Sequence, residues 1–225
     1  MHTDLSNLNR RFDHAALKPE ITEKDIVALC DEAREYDFYA VAVNPVWVSL
    51  AKDKLESSRT GIVSVAGFPL GADRSDIKIA QAVKGVGDGA TEIDMVANIG
   101  WLASREYKKA ESEISLIRNN LPYNIILKVI VEAGKLTDAQ LSDAARVVVA
   151  GGAQFVKTST GFFGGATVAQ VLRLYQAADG QIEVKASGGI RTLKQCREFL
   201  KAGASRLGSS SSVEIMRELK AESNG

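Results

Sequence analysis

The 225-residue chain is poor in the residues on which many sites are built, having two cysteines, two histidines and no excess of charge of either sign. Cys30 and Cys196 each fall on the apolar stripe of a helical pattern rather than in a paired motif. Zinc-ribbon and dithiol chemistry are therefore excluded, and both thiols are expected to be reduced core residues. With His2 and His14 alone, no three-histidine site can be assembled, so metal catalysis is disfavoured and no cofactor is expected. Lys plus Arg and Asp plus Glu both number 28, without runs of one sign, so the electrostatic footprint of nucleic-acid or anionic-membrane partners is missing. No stretch approaches the roughly 18 consecutive apolar residues of a membrane span, and MHTDLSNLNR lacks the apolar segment of a secretion signal. These absences leave a cytoplasmic enzyme or binding domain acting on small molecules as the expectation, with a homo-oligomer left open.

What is present is a steady alternation. Apolar residues recur at helical spacing in Ile26, Leu29, Cys30, Ala33; in Tyr107, Ala110, Ile114, Ile117; and in Leu141, Ala144, Ala145, Val148. The same spacing returns in Val168, Val171, Leu172, Tyr175 and in Leu193, Cys196, Phe199, Leu200, with a weaker helix over 73–86. Between them lie short apolar or β-branched runs at 40–44, 62–66, 92–96, 125–131, 155–159 and 182–186. A first strand at 12–14 and a last at 206–208 complete eight strand–helix units. No linker breaks the series, so we expect an α/β fold in which residues 1–225 form a single-domain (β/α)8 TIM barrel with a short N-terminal helical extension. The strands are nearly all apolar, as parallel strands covered by helices are. A doubly wound open sheet is the alternative, but its G-x-G-x-x-G after the first strand is absent. Gly85-Val86-Gly87-Asp88-Gly89 ends a helix instead and is expected to cap and turn.

Active sites of such barrels form at the C-terminal strand ends, so ionisable residues inside apolar strands carry information. Asp94 lies in Glu92–Val96, Lys157 in the run from Phe155, and Lys185 in Glu183–Ser187. Buried charges are costly unless paired, and these either neutralise one another or serve chemistry. Lys157 and Lys185 fall on consecutive strands, which lie about 4.8 Å apart if they pair in order. Desolvation and like-charge repulsion would then depress the pKa of at least one of the two lysines, leaving a neutral amine able to attack a carbonyl and form a Schiff base. Spacing does not decide which lysine that is. Asp94 supplies a carboxylate for proton transfer. Lys128 is a further strand cation, open to two readings: a structural partner of Asp94, or a substrate-binding group. Asp13-His14 could make a general-base pair, but a first-strand histidine is read as structural.

Two loops suit a phosphate. Ser187-Gly188-Gly189-Ile190 follows the seventh strand and Gly208-Ser209-Ser210-Ser211-Ser212 follows the eighth, just before a helix. Glycine backbone and a helix N-terminus offer amide donors to an anion, although a tight turn and a helix cap are the competing reading.

Taken together, Phe155-Val156-Lys157-Thr158-Ser159-Thr160-Gly161, Val184-Lys185-Ala186-Ser187-Gly188-Gly189-Ile190-Arg191 and Glu92-Ile93-Asp94-Met95-Val96 resemble the deoxyribose-phosphate aldolases. The similarity continues in order through Leu17-Lys18-Pro19, Asn44-Pro45, Gly67-Phe68-Pro69-Leu70-Gly71-Ala72 and Leu127–Glu132. It implies a metal-independent aldolase acting on a sugar phosphate and aldehydes. It further implies Lys157 as the Schiff-base lysine, Lys185 as the neighbour that lowers its pKa and Asp94 as a proton relay. Gly188, Gly189, Ser210 and Ser211 are its implied phosphate contacts. The chain departs from some members at Phe162, where they carry a lysine, and at Ala15 and Ala133, where they carry threonine. Residues 221–225 also hold no tyrosine where some members have one. Another lysine-dependent sugar-phosphate aldolase and a non-catalytic phosphate-binding barrel are the competing functions.

Overall fold

The computed structural model describes residues 5–223. The strands are β1 (Phe12–Ala16), β2 (Ala40–Val43), β3 (Gly61–Ala66), β4 (Glu92–Val96), β5 (Ile126–Ile130), β6 (Phe155–Lys157), β7 (Glu183–Ser187) and β8 (Arg206–Ser209). Between and after them run α1 (Glu23–Glu35), α2 (Val48–Leu55), α3 (Ser75–Asp88), α4 (Ile99–Ala103), α5 (Tyr107–Asn119), α6 (Asp138–Ala150), α7 (Val168–Ala178), α8 (Leu193–Lys201) and α9 (Ser212–Ser223). Each strand pairs in parallel with the next, and β8 closes on β1 through Phe12↔Leu207, Asp13↔Gly208 and His14↔Ser209. The expected barrel is thus formed. A 3-10 turn at Leu8–Arg11 precedes it as the helical extension, and residues 1–4 lie outside those described.

The expected stripe is the buried face on α1, where Ile26, Leu29, Cys30 and Ala33 are at most 5% exposed, but α7 differs: it buries Val171, Leu174 and Ala178 and leaves the expected Val168, Leu172 and Tyr175 exposed. Both cysteines are free and buried, and loss of solvent pushes Cys30 up to about 11 and Cys196 up to about 12, so neither is a thiolate at neutral pH. Three helices begin at the C-terminal end of the barrel on the same device. In Thr137–Gln140, Thr167–Gln170 and Thr192–Gln195, each threonine hydroxyl accepts from the glutamine N–H, and each glutamine carbonyl accepts from the threonine N–H. Gly89 ends α3 in the left-handed region at φ 118°, as the glycine cluster implied.

Two strand limits differ from expectation by two residues, and the others agree to within one. β1 runs on to Ala16, because Ala15 and Ala16 keep register with Ala42 and Val43. β6 stops at Lys157 rather than residue 159. Beyond it the Thr158 hydroxyl accepts from the Ser187 N–H (3.0 Å) and donates to the Ser187 carbonyl (3.1 Å), replacing the ladder with side-chain bonds. Among the described residues no helix is long and apolar enough to cross a membrane.

Candidate active site

Period-two alternation points one residue in two into the barrel, and on six of the strands the inward residue is charged. Asp94 on β4 is the hub. Its Oδ2 accepts from Lys157 Nζ on β6 (2.7 Å) and Lys185 Nζ on β7 (2.8 Å), while Oδ1 accepts from Lys128 Nζ on β5 (2.7 Å). Register makes these contacts possible, since Lys157 is paired directly with Lys185, and Asp94 with Lys128. Lys185 also donates to Asp13 on β1, and Arg206 on β8 donates to Asp13 at 2.7 Å and to Glu92 at 3.3 Å. Lys128 completes the ring through Glu92 and lies 3.5 Å from Asp13.

These groups shape one another's charge. Burial alone would raise Asp94 and Asp13, but the surrounding cations outweigh it and hold both carboxyls well below their usual range. The nearby carboxylates overcome desolvation at Lys128 and Arg206 and raise both. Lys157 goes the other way. Burial is the largest cause, Asp94 opposes it and Lys185 adds repulsion, leaving Lys157 at about 8. Desolvation thus precedes the like charge as the reason this amine gives up its proton.

Lys157, Lys185 and Asp13 line a cavity of about 530 Å³ at the C-terminal end of the barrel. Gly188, Gly189, Arg191, Ser209 and Ser210 also line it, as does Phe162, whose ring centroid is 5.4 Å from that of Phe68 in an edge-to-face pair. Gly188 and Gly189 have φ of +90° and +71°, and a Cβ at Gly188 would sit 3.0 Å from the Gly164 carbonyl oxygen, so glycine is required there. The Ser209 hydroxyl donates to the Ile190 carbonyl (2.6 Å) and accepts from the Ser211 N–H (2.9 Å), tying the two glycine- and serine-rich loops together at the start of α9.

Lys128 is fully buried among three carboxylates and outside the cavity lining, which favours the structural of its two readings. The Ser211 N–H donates to the Ser209 hydroxyl, and Ser211 stands beside the cavity-lining Ser210 just before α9. His14 lines the cavity as well; its Nε2 bonds Glu32 at 2.8 Å and its ring packs on Phe38.

Other participants, or in the case of Asp13 its part in the ring, were not seen in the sequence. Asp13, Glu92 and Arg206 complete the charged ring, and strand alternation was the signal that could have found them, since Glu92 and Asp94 must share a face. Glu132, held in the left-handed region, accepts from the Thr160 N–H (3.0 Å) and hydroxyl (2.6 Å) and fixes the turn after β6. Buried Lys78 on α3 donates to the Val96 carbonyl and to Glu113, both at 2.9 Å, pinning the end of the strand that carries Asp94. Among the described residues no cluster of three or more His, Cys, Asp or Glu side chains could hold a metal ion.

A closed parallel barrel with an amine of lowered pKa at its C-terminal mouth has the fold and the nucleophile of a lysine-dependent lyase. Residues 4–212 match the DeoC/LacD family aldolases, and the chain belongs to that family. It is 45% identical to the deoxyribose-phosphate aldolase of Natranaerobius thermophilus, covering 95% of this chain and 97% of that one. It is 43% identical to the enzyme of the same name from Clostridium kluyveri, covering 96% and 99%. The tetrameric deoxyribose-phosphate aldolase structure from Aeropyrum pernix superposes with a TM-score of 0.88 at 33% identity, covering 96% and 92%.

Proposed function

We propose that this chain is a class I aldolase that reversibly cleaves 2-deoxy-D-ribose 5-phosphate to acetaldehyde and D-glyceraldehyde 3-phosphate through a Schiff base on Lys157. The observation that carries this reading is Lys157 itself: a cavity-lining amine lowered to about 8, bonded to one carboxylate and registered against a second lysine. The neutral amine attacks C1 of the open-chain sugar to give a carbinolamine, which loses water to give an iminium. The electron pair of the C2–C3 bond then moves into the iminium, the C3 hydroxyl loses its proton, and glyceraldehyde 3-phosphate leaves. The remaining enamine is protonated at C2 and hydrolysed to acetaldehyde.

Lys185 supplies the ammonium proton for dehydration, and Asp94, held ionised, bridges the two nitrogens as the relay. The phosphate is held by the backbone of Gly188 and Gly189, by Ser210 and by the start of α9. Similarity to the Aeropyrum pernix enzyme supports a homo-oligomer, and the cytoplasm is the expected compartment. The test is product analysis. Equimolar acetaldehyde and glyceraldehyde 3-phosphate from 2-deoxyribose 5-phosphate are expected, whereas release of dihydroxyacetone phosphate from a ketose phosphate as the only turnover would assign a different aldolase.

A further inference from the structure

The charged ring inside the barrel does not balance. Lys128, Lys157, Lys185 and Arg206 face only Asp13, Glu92 and Asp94, four cations against three anions, and every side chain is at most 6% exposed. With the three carboxylates ionised, one positive charge stays uncompensated in a site almost closed to water. The contacts say where that charge is least supported. Lys128 reaches three carboxylates and Lys185 and Arg206 two each, but Lys157 reaches Asp94 alone. Arg206 is further secured by the face of Tyr39, 3.5 Å from the ring centroid.

We propose that Glu92 and Arg206, on the barrel floor and outside the cavity lining, are positioning residues for the reaction that set the proton occupancy of Lys157 by fixing the charge count of this ring. The proposal rests on Lys157 being the reacting amine. The groups facing Lys157 are Asp94 from β4, Lys185 from β7 and, through Asp94, Lys128 from β5; Asp13 from β1 joins Lys185 to Arg206. Glu132, at the end of β5, is committed to Thr160. Glu92 and Arg206 act only across this ring. Removing the carboxylate makes the ring more positive and drives the proton off Lys157, while removing the guanidinium makes it less positive and holds the proton on. A unit charge on the order of 8–10 Å away, at an effective dielectric of about 20, moves a pKa by about one unit.

The experiment follows acetaldehyde capture on Lys157 by cyanoborohydride and intact-mass analysis between pH 6 and 10, in the full-length protein. Relative to wild type, the midpoint is expected about one unit lower in Glu92→Gln, about one unit higher in Arg206→Met, unmoved in Arg206→Lys and near its original place in the double variant. A merely structural role would slow capture in both single variants without moving the midpoints in opposite directions; midpoints that stay together or move the same way overturn the proposal. If Arg206→Met fails to fold by circular dichroism, Glu92→Gln and the double variant decide by the same criterion. No adduct on wild-type Lys157 would instead remove the functional reading on which the proposal stands.

Discussion

Replacing Lys185 by Met removes one of the two ammonium groups that share Asp94 Oδ2, while keeping an unbranched side chain of similar length. The nitrogens of Lys157 and Lys185 can be no further apart than the sum of their two bonds to that oxygen. A like charge at about 5 Å and an effective dielectric of about 20 amounts to roughly 3 kcal/mol, or about two pKa units. Asp13 and Asp94 already offset part of the Lys185 charge, so a rise of about one to two units is expected, carrying Lys157 from about 8 to roughly 9–10. The sign follows from the nucleophile being the neutral amine: activity grows as pH rises through the Lys157 pKa, so a higher pKa displaces the acid limb upward. At pH 7 this alone lowers kcat/KM about ten- to a hundredfold, and the loss shrinks toward pH 10. The lost proton donor adds a further decrease that pH does not restore. The assay is kcat/KM for 2-deoxyribose 5-phosphate cleavage between pH 7 and 10, above the second phosphate pKa of about 6, so that the limb belongs to the protein. An acid limb that stays in place, or moves down, refutes the electrostatic role of Lys185.

Other expectations follow from the same geometry. Phe162→Lys puts a cation on the cavity wall, worth on the order of 1.5–3 kcal/mol if it reaches the phosphate, so KM for the sugar phosphate should fall about tenfold while unphosphorylated deoxyribose gains nothing; equal changes for both sugars would show that position 162 does not face the phosphate. Asp94→Asn leaves three buried ammonium groups around a neutral amide, with a stability loss of about 3–5 kcal/mol and a fall in kcat of about a hundredfold or more; an unchanged thermal midpoint would contradict its place as the hub. Exhaustive chelation should leave cleavage intact, because the electron sink is an iminium, and activity lost in EDTA and regained with zinc would reverse that view.

Much of this was legible because a barrel repeats its rules. An apolar run flanked by amphipathic helices, eight times over, leaves few folds, and a charge inside such a run must point to the barrel interior or carry a cost. That logic reached Asp94, Lys157 and Lys185, and it left Lys128 open between two roles that only its three carboxylate contacts separate. It missed Glu92 and Arg206, and it considered Asp13 only beside His14 and not in the ring, where its partner Arg206 stands 193 residues away along the chain. Pairing across a closing barrel is set by register between first and last strands, which no local pattern displays. The limits of β6 were also beyond reach, because the Thr158 hydroxyl ends that strand by bonding to a neighbouring strand's backbone.

The most direct measurement is peptide mapping by mass spectrometry after borohydride reduction of the protein with acetaldehyde. A single ethyl group on Lys157, absent in Lys157→Leu along with cleavage of 2-deoxyribose 5-phosphate, is the predicted result. An ethyl group on Lys185 with Lys157 unmodified would contradict the account and exchange the roles of the two lysines.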